Sequence, residues 1–139
     1  MKLKEIMTRE VEIVHPDDSL QTAAQKMRYR NVGFLPVCDG DRLIGVLTDR
    51  DIALRATAEG VDPSKSLSKE WVTNPVVYCF EDQDVDEAAQ LMREHQIRRL
   101  VILGRDDKRL VGVVSLGDLA TNIEEKKSGE VLQEVSEPA

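Results

Sequence analysis

Apolar positions fall at helical spacing in two stretches of the chain. Leu20, Ala23, Ala24 and Met27 form one stripe, and Val85, Ala88, Ala89 and Met92 form another. Residues three and four apart share a helix face, so each stripe predicts an amphipathic helix whose paired alanines admit a close neighbour. Asp18 with Gln21, and Asp84 with Glu87, stand three apart ahead of these stripes, as an N-cap and its reciprocal partner do. Before each helix lies a β-rich piece, VEIV (11–14) and VVYCF (76–80), and before that a short amphipathic start, Leu3 to Met7 and Leu67 to Val72. After each helix come two apolar runs separated by turn residues. GFLPV and LIGVLT flank Asp39-Gly40, and RRLVIL and LVGVVS flank Gly104, which predicts two hairpins. A second helix begins directly after each hairpin, in DRDIALRATAEG and LGDLATNIEEKK, with Gly60 placed to end the first.

The two series are copies of one unit. Lys4-Glu5, Thr8, Val11, Asp17, Ala23-Ala24-Gln25 and Met27-Arg28 recur 65 positions later as Lys69-Glu70, Thr73, Val76, Asp82, Ala88-Ala89-Gln90 and Met92-Arg93. Leu43, Gly45, Val46, Asp51 and Ala53 recur 67 positions later as Leu110, Gly112, Val113, Asp118 and Ala120, because the second hairpin turn is longer. The fold class is therefore mixed α/β (α+β), with two β-α-β-β-α repeats. Residues 1–60 form the first repeat, 61–66 a linker, 67–123 the second repeat and 124–139 a polar, acidic tail expected to be frayed. A unit of roughly sixty residues buries too little surface to stand alone, so the copies are expected to pack on each other.

Composition narrows the function. Aromatic residues make up 4% of the 139, so the core must be aliphatic. Nineteen Lys and Arg against 26 Asp and Glu give a net charge of −7, which argues against the cationic face that sequence-independent nucleic-acid binding needs. No run of about 18 apolar residues spans a membrane, and the charged start MKLKEIMTREVEIV is unlike a secretory signal. Cys38 and Cys79 lack the spacing of a metal or disulfide framework, and with no export signal a reducing cytoplasm is the expected setting.

The candidate chemistry lies where the second strand of each hairpin meets the following helix. Thr48-Asp49-Arg50-Asp51 and Ser115-Leu116-Gly117-Asp118 occupy the same place. A hydroxyl followed three residues later by an acid is a capping-box variant, and it starts a helix with no ligand involved. The same geometry offers free N–H groups to an anion and a carboxylate to a vicinal diol, as acids do for ribose in dinucleotide sites. Both readings hold at once, and the duplication favours a ligand.

These motifs, the A-A-x-x-M stripe, L-P-V, L-I-G-V-L-T-D-R-D and V-G-V-V-S-L-G-D, together resemble the CBS domain, named after cystathionine β-synthase. Two in tandem look like a Bateman module, and the chain resembles small stand-alone bacterial CBS-pair proteins over residues 1 to about 123. The resemblance implies repeats related by pseudo-twofold symmetry, adenosine-containing ligands in two clefts between their sheets, and a disc-shaped homodimer that an effector protein reads. Carried onto this sequence, Asp51 and Asp118 would take ribose hydroxyls, and Thr48 and Ser115 ribose or phosphate. Val11, Val76 and Val77 would line an adenine slot, and Arg98-Arg99 would meet phosphate, with Arg50 a further candidate. The first copy has Gly33-Phe34 at the place of the arginine pair, which implies unequal phosphate binding. The implied ligands are AMP, ADP, ATP or S-adenosylmethionine, with no required cofactor. An alternative is an interaction module that dimerises and has no physiological nucleotide.

Other chemistry has no support. Asp82, Asp84 and Asp86 alternate as in an EF-hand, but Glu87 replaces its glycine and Arg93 its final glutamate. No phosphate-binding GxxxxGK[ST] or GxGxxG occurs, and Ser115 has no histidine at triad spacing. His15 and His95 stand alone, and Trp71 takes the packing position of Ile6. The pattern is that of a binding protein with no catalytic motif.

Overall fold

The computed structural model describes residues 1–73 and 75–122. The expected tail at 124–139 lies outside them. The elements run α1 (Leu20–Arg30), β1 (Phe34–Asp39), β2 (Arg42–Thr48), a π-helical segment (Asp51–Thr57), β3 (Tyr78–Phe80), α2 (Val85–His95), β4 (Arg99–Leu103), β5 (Leu110–Ser115) and α3 (Leu116–Asn122). Short 3-10 turns at Leu3–Glu5 and Ser68–Glu70 open the two repeats. The class is the expected mixture of helices and small sheets. Among the described residues no helix is long and apolar enough to cross a membrane.

The helix boundaries follow from local chemistry, with one shift from expectation. Asp84 caps α2, its carboxylate accepting from Asp86 N at 3.0 Å. In α1 the cap is Ser19, whose Oγ accepts from Thr22 N at 3.0 Å. Asp18 instead accepts from His15 N at 2.9 Å and closes the preceding turn. The partners expected at Gln21 and Glu87 do not reach back, and Glu87 pairs with Gln83 along the helix. Asn31 and Gln96 end α1 and α2 at the same repeat position, both with φ of 54°. Gly60, at φ 76°, closes the π-helical segment with its N–H on Thr57 O.

β1 and β2 pair antiparallel with Phe34 opposite Thr48, and β4 and β5 with Arg99 opposite Ser115. Each hairpin carries an irregularity at the same place, between Val37 and Cys38 and between Ile102 and Leu103. β3 adds to β4 in parallel, Cys79 opposite Ile102. The strand expected at VEIV is reduced to one bridge, Val14 with Val37. The cause is two prolines. Val14 N donates to Pro36 O and Cys38 N to Val14 O, both at 2.9 Å. A longer parallel ladder needs N–H groups at residues 36 and 16, and both are proline. In the second copy residue 81 is glutamate, and its N–H makes the bond to Leu103 O at 3.0 Å.

The chain divides into two compact units that do not coincide with the sequence repeats. One comprises Met1–Val11 with the chain from Val77 onward, the other Glu12–Val76. Each opening segment thus packs with the other repeat's hairpin. Leu3 N donates to Gln83 O at 2.9 Å, and at the matched position Ser68 N donates to Asp18 O at 2.8 Å. Thr8 bridges Val113 and Thr73 bridges Val46. The first core gathers Leu3, Met7, Met92, Leu100, Ile102 and Leu119. The second gathers Val14, Leu20, Met27, Leu35, Val37 and Leu47, with Trp71 and Val72 packed against it. Fully burying such side chains contributes about 1.5–3 kcal/mol each. Of the paired alanines, Ala23, Ala88 and Ala89 are buried, whereas Ala24 is exposed.

The crossing of the opening segment explains the repeated glycine. A Cβ on Gly112 would lie 2.8 Å from both Thr8 O and Met7 Sδ, and one on Gly45 would lie 2.8 Å from Val72 Cβ. Gly112→Ala therefore pushes against backbone, and we expect it to destabilise the protein by about 1–3 kcal/mol in urea unfolding, with the m-value unchanged. An unchanged midpoint would show that the segment does not press on β5. Cys38 and Cys79 are free and fully buried. Burial foremost, aided by Asp41 and Glu87 respectively, pushes both thiols up to about 11. We expect neither to be alkylated in the native protein at pH 7.5, and both to react after denaturation, as read by intact mass.

Candidate functional site

The Thr48–Asp51 turn closes on itself. Asp51 N donates to Thr48 Oγ1 at 3.1 Å, while Thr48 N and Oγ1 donate to Asp51 Oδ2 at 3.0 and 2.9 Å. This reciprocal pair is the capping arrangement expected from the spacing. Two further groups converge on the same carboxylate. Thr73 Oγ1 donates to Oδ1 and Oδ2 at 3.1 and 2.9 Å, and Arg55 Nη1 reaches Oδ1 at 3.1 Å. Asp51 is 6% exposed, the one buried charged side chain among the described residues. Its pairing with Arg55 answers the general rule that a buried charge needs partners. Arg55 also donates to Trp71 O at 3.1 Å and lies over the Trp71 ring, 5.7 Å from its centroid.

The second turn repeats the two backbone-donated bonds of the cap and omits the rest. Ser115 N donates to Asp118 Oδ2 at 2.8 Å and Asp118 N donates to Ser115 Oγ at 3.1 Å. The counterpart of Arg55 is Asn122, whose Nδ2 donates to the backbone oxygen of Asp118 at 2.7 Å. Thr8, the counterpart of Thr73, holds the strand through its backbone, with N donating to Val113 O at 2.9 Å. Asp118 is half-buried.

The surroundings of the two turns differ in charge. Arg99 stands opposite Ser115 in the β4–β5 register, and residues directly opposite share a sheet face. Arg98, one residue earlier, accepts from Leu116 N at 2.8 Å through its carbonyl. Both arginines are exposed, Arg99 as the first residue of β4 and Arg98 in the bend before it. In the first copy Gly33 holds the place of Arg98. A Cβ there would lie 2.5 Å from Asp49 Oδ2, so the Asp49 carboxylate closes over this glycine and leaves no room for a side chain at the place of Arg98. Asp49 Oδ1 also accepts from Arg50 N at 2.8 Å, and the Arg50 side chain is exposed.

The candidate apolar walls are divided between the units. Val11 and Val77, both half-buried, belong with Asp118, and Val77 packs on that core. Val76, also half-buried, belongs with Asp51. Thr73, Arg55 and Asp49 were not singled out from sequence as site residues. The recurrence of Thr8 as Thr73 was the available signal for one of them. Arg55 and Asp49 have no counterpart of like chemistry in the other copy, so repetition could not reveal them. Among the described residues no three His, Cys, Asp or Glu side chains gather to hold a metal ion. A shallow groove of about 420 Å³ along α2, lined by Asp86, Glu87, Gln90 and Glu94 among others, shares no residue with either turn.

Comparison with known proteins adds an independent line. The sequence pattern of the CBS domain matches the chain twice, at residues 3–56 and 68–125. The CBS domain-containing protein YhcV of Bacillus subtilis is 43% identical over 135 residues, covering 96% of this chain and 94% of YhcV. Hypoxic response protein 1 of Mycobacterium tuberculosis is 35% identical over 136 residues, 97% of this chain and 94% of that protein. A crystal structure of Hypoxic Response Protein I with two coordinated zinc ions shares the fold at a TM-score of 0.81 and 36% identity, over 88% of this chain and 99% of that one. The CBS domain pair of protein MJ0100, in complex with 5′-methylthioadenosine and S-adenosyl-L-methionine, gives a TM-score of 0.75 at 27% identity, over 91% and 98%.

Proposed function

The chain belongs to the CBS domain family, and from that premise we propose that it is a non-catalytic regulatory module that binds adenosine-containing small molecules. The observation that carries the reading is the duplicated pair of a hydroxyl and a carboxylate at a strand-to-helix turn, Thr48 with Asp51 and Ser115 with Asp118. A carboxylate accepts two hydrogen bonds side by side, which suits the cis-diol of a ribose. The two ligands of the MJ0100 pair share an adenosine with that diol and carry no phosphate.

In this reading Asp51 and Asp118 accept from ribose hydroxyls, and Thr48 and Ser115 contact ribose or phosphate. Val11, Val76 and Val77 offer apolar surface to adenine, and Arg98, Arg99 and Arg50 serve a phosphate where the ligand has one. AMP, ADP, ATP and S-adenosylmethionine all fit this description, and the module needs no cofactor. Binding acts by linkage: a ligand that prefers one arrangement of the protein stabilises it, and an effector protein reads that arrangement. Full engagement of Asp51 by its own chain favours a second reading, in which the motif is purely structural and the protein works as a dimerising interaction module.

Calorimetry with adenosine and AMP separates these readings. Asp118→Ala is expected to weaken both ligands. Arg98→Ala combined with Arg99→Ala is expected to weaken AMP by about ten- to a hundredfold and adenosine little, the worth of one charge-assisted contact. Unchanged AMP affinity in the double variant would remove the phosphate role, and no binding of either ligand to the wild type would favour the structural reading. We also propose a homodimer, supported by the exposed apolar side chains of Tyr29 and Leu54, 84% and 57% accessible. Light scattering at micromolar concentration is expected to give twice the 15.6 kDa chain mass, and a species of chain mass alone would refute it.

A further inference from the structure

The two duplicated turns differ in a way that the repeat hides. A carboxylate has about four lone-pair sites. Asp51 receives five hydrogen bonds from four groups, Thr48 N, Thr48 Oγ1, Thr73 Oγ1 (to both oxygens) and Arg55 Nη1, at 2.9–3.1 Å. Asp118 receives one from the described residues, Ser115 N at 2.8 Å. The backbone-donated bonds of the cap are common to both, and beyond the Thr48 hydroxyl within the turn the difference lies in Thr73 and Arg55, which reach Asp51 from outside it. We infer that Asp118 is the open diol acceptor and that Arg55 with Thr73 holds Asp51 closed, so that the chain takes one adenosine-type ligand, in the unit containing Asp118. This rests on the reading above, narrows its diol acceptors from two to Asp118, and assigns Arg55 as a specificity-determining residue.

The energetics favour that order. A diol arriving at Asp118 exchanges water for two hydrogen bonds to an ionised acceptor, each worth about tenfold or more in affinity. A diol arriving at Asp51 must first displace Thr73 and Arg55, and so regains only what it removes. Arg55 is not an idle partner that swings away freely. Its guanidinium is also bonded to Trp71 O and stacked on the Trp71 ring. Charge adds to the contrast. In the first copy the Asp49 carboxylate closes over Gly33 beside the Asp51 turn, whereas in the second Arg99 stands opposite Ser115. A phosphate at the first turn would meet Asp49 beside Arg50, and at the second Arg99 opposite Ser115.

Calorimetry of the full chain with adenosine and with AMP tests this. The wild type is expected to bind one equivalent, and Asp118→Asn none at ligand concentrations tenfold above the wild-type Kd. The double variant R55N/T73V, which gives Asp51 the Asn of the second copy and removes the Thr73 hydroxyl, is expected to bind two. Two equivalents on the wild type, or one equivalent retained by Asp118→Asn, would overturn the inference even if the double variant failed to fold. No binding of either ligand to the wild type would instead overturn the proposed function. Thermal melts without ligand then decide the state of Asp51: Asp51→Asn should lower the midpoint by roughly 5 °C or more and Asp118→Asn by far less. Equal shifts would show that Asp51 is no more engaged than Asp118.

Discussion

The structure depends on one close approach, the crossing of each opening segment over the last strand of the other repeat's hairpin. At that crossing the backbones of Thr8 and Val113, and of Thr73 and Val46, bridge directly. The approach leaves no room for a Cβ at Gly112 or Gly45. Everything downstream of it follows. The crossing delivers Leu3 and Met7 to one core and Trp71 and Val72 to the flank of the other. It also sets a threonine of the opening segment close to the strand that leads into the hydroxyl–carboxylate turn. Core and site are thus completed by the same exchanged piece of chain.

The turns show how a structural device and the proposed binding device use the same residues. A hydroxyl and a carboxylate three apart satisfy the orphan N–H groups of a helix start, and the fold gains from this whether or not a ligand exists. The carboxylate's remaining lone pairs are the variable part. In one unit they are taken by Thr73 and Arg55, and in the other they face no donor among the described residues. The two frames match in their hydroxyl and carboxylate and differ at the paired positions 55 and 122, and 33 and 98, where their chemistry diverges. The internal ion pair adds little by itself: the Arg55 side chain is 49% exposed, and such pairs contribute about 0–1 kcal/mol. Its consequence is competition for the carboxylate, to which Thr48 and Thr73 also bond.

Much of this was legible in the sequence because the governing interactions are local or periodic. The helices at Leu20–Arg30 and Val85–His95, both hairpins and both caps at Thr48 and Ser115 depend on residues a few positions apart. Repetition then distinguished Asp51 and Asp118 from ordinary surface acids. Three expectations failed for equally local reasons. Pro16 and Pro36 withhold the donors that a strand at VEIV needs, Ser19 outcompetes Asp18 as cap because its oxygen sits one residue nearer Thr22 N, and Ala24 lies beyond the buried stripe. What only the tertiary structure decided is which segment packs with which hairpin and what reaches each carboxylate. Thr73 lies 22 residues from Asp51, and the opening segment at Thr8 more than a hundred from Val113. No local spacing encodes such meetings. They are set by the exchange of the opening segments, and that exchange is a property of how apolar faces find cover in three dimensions.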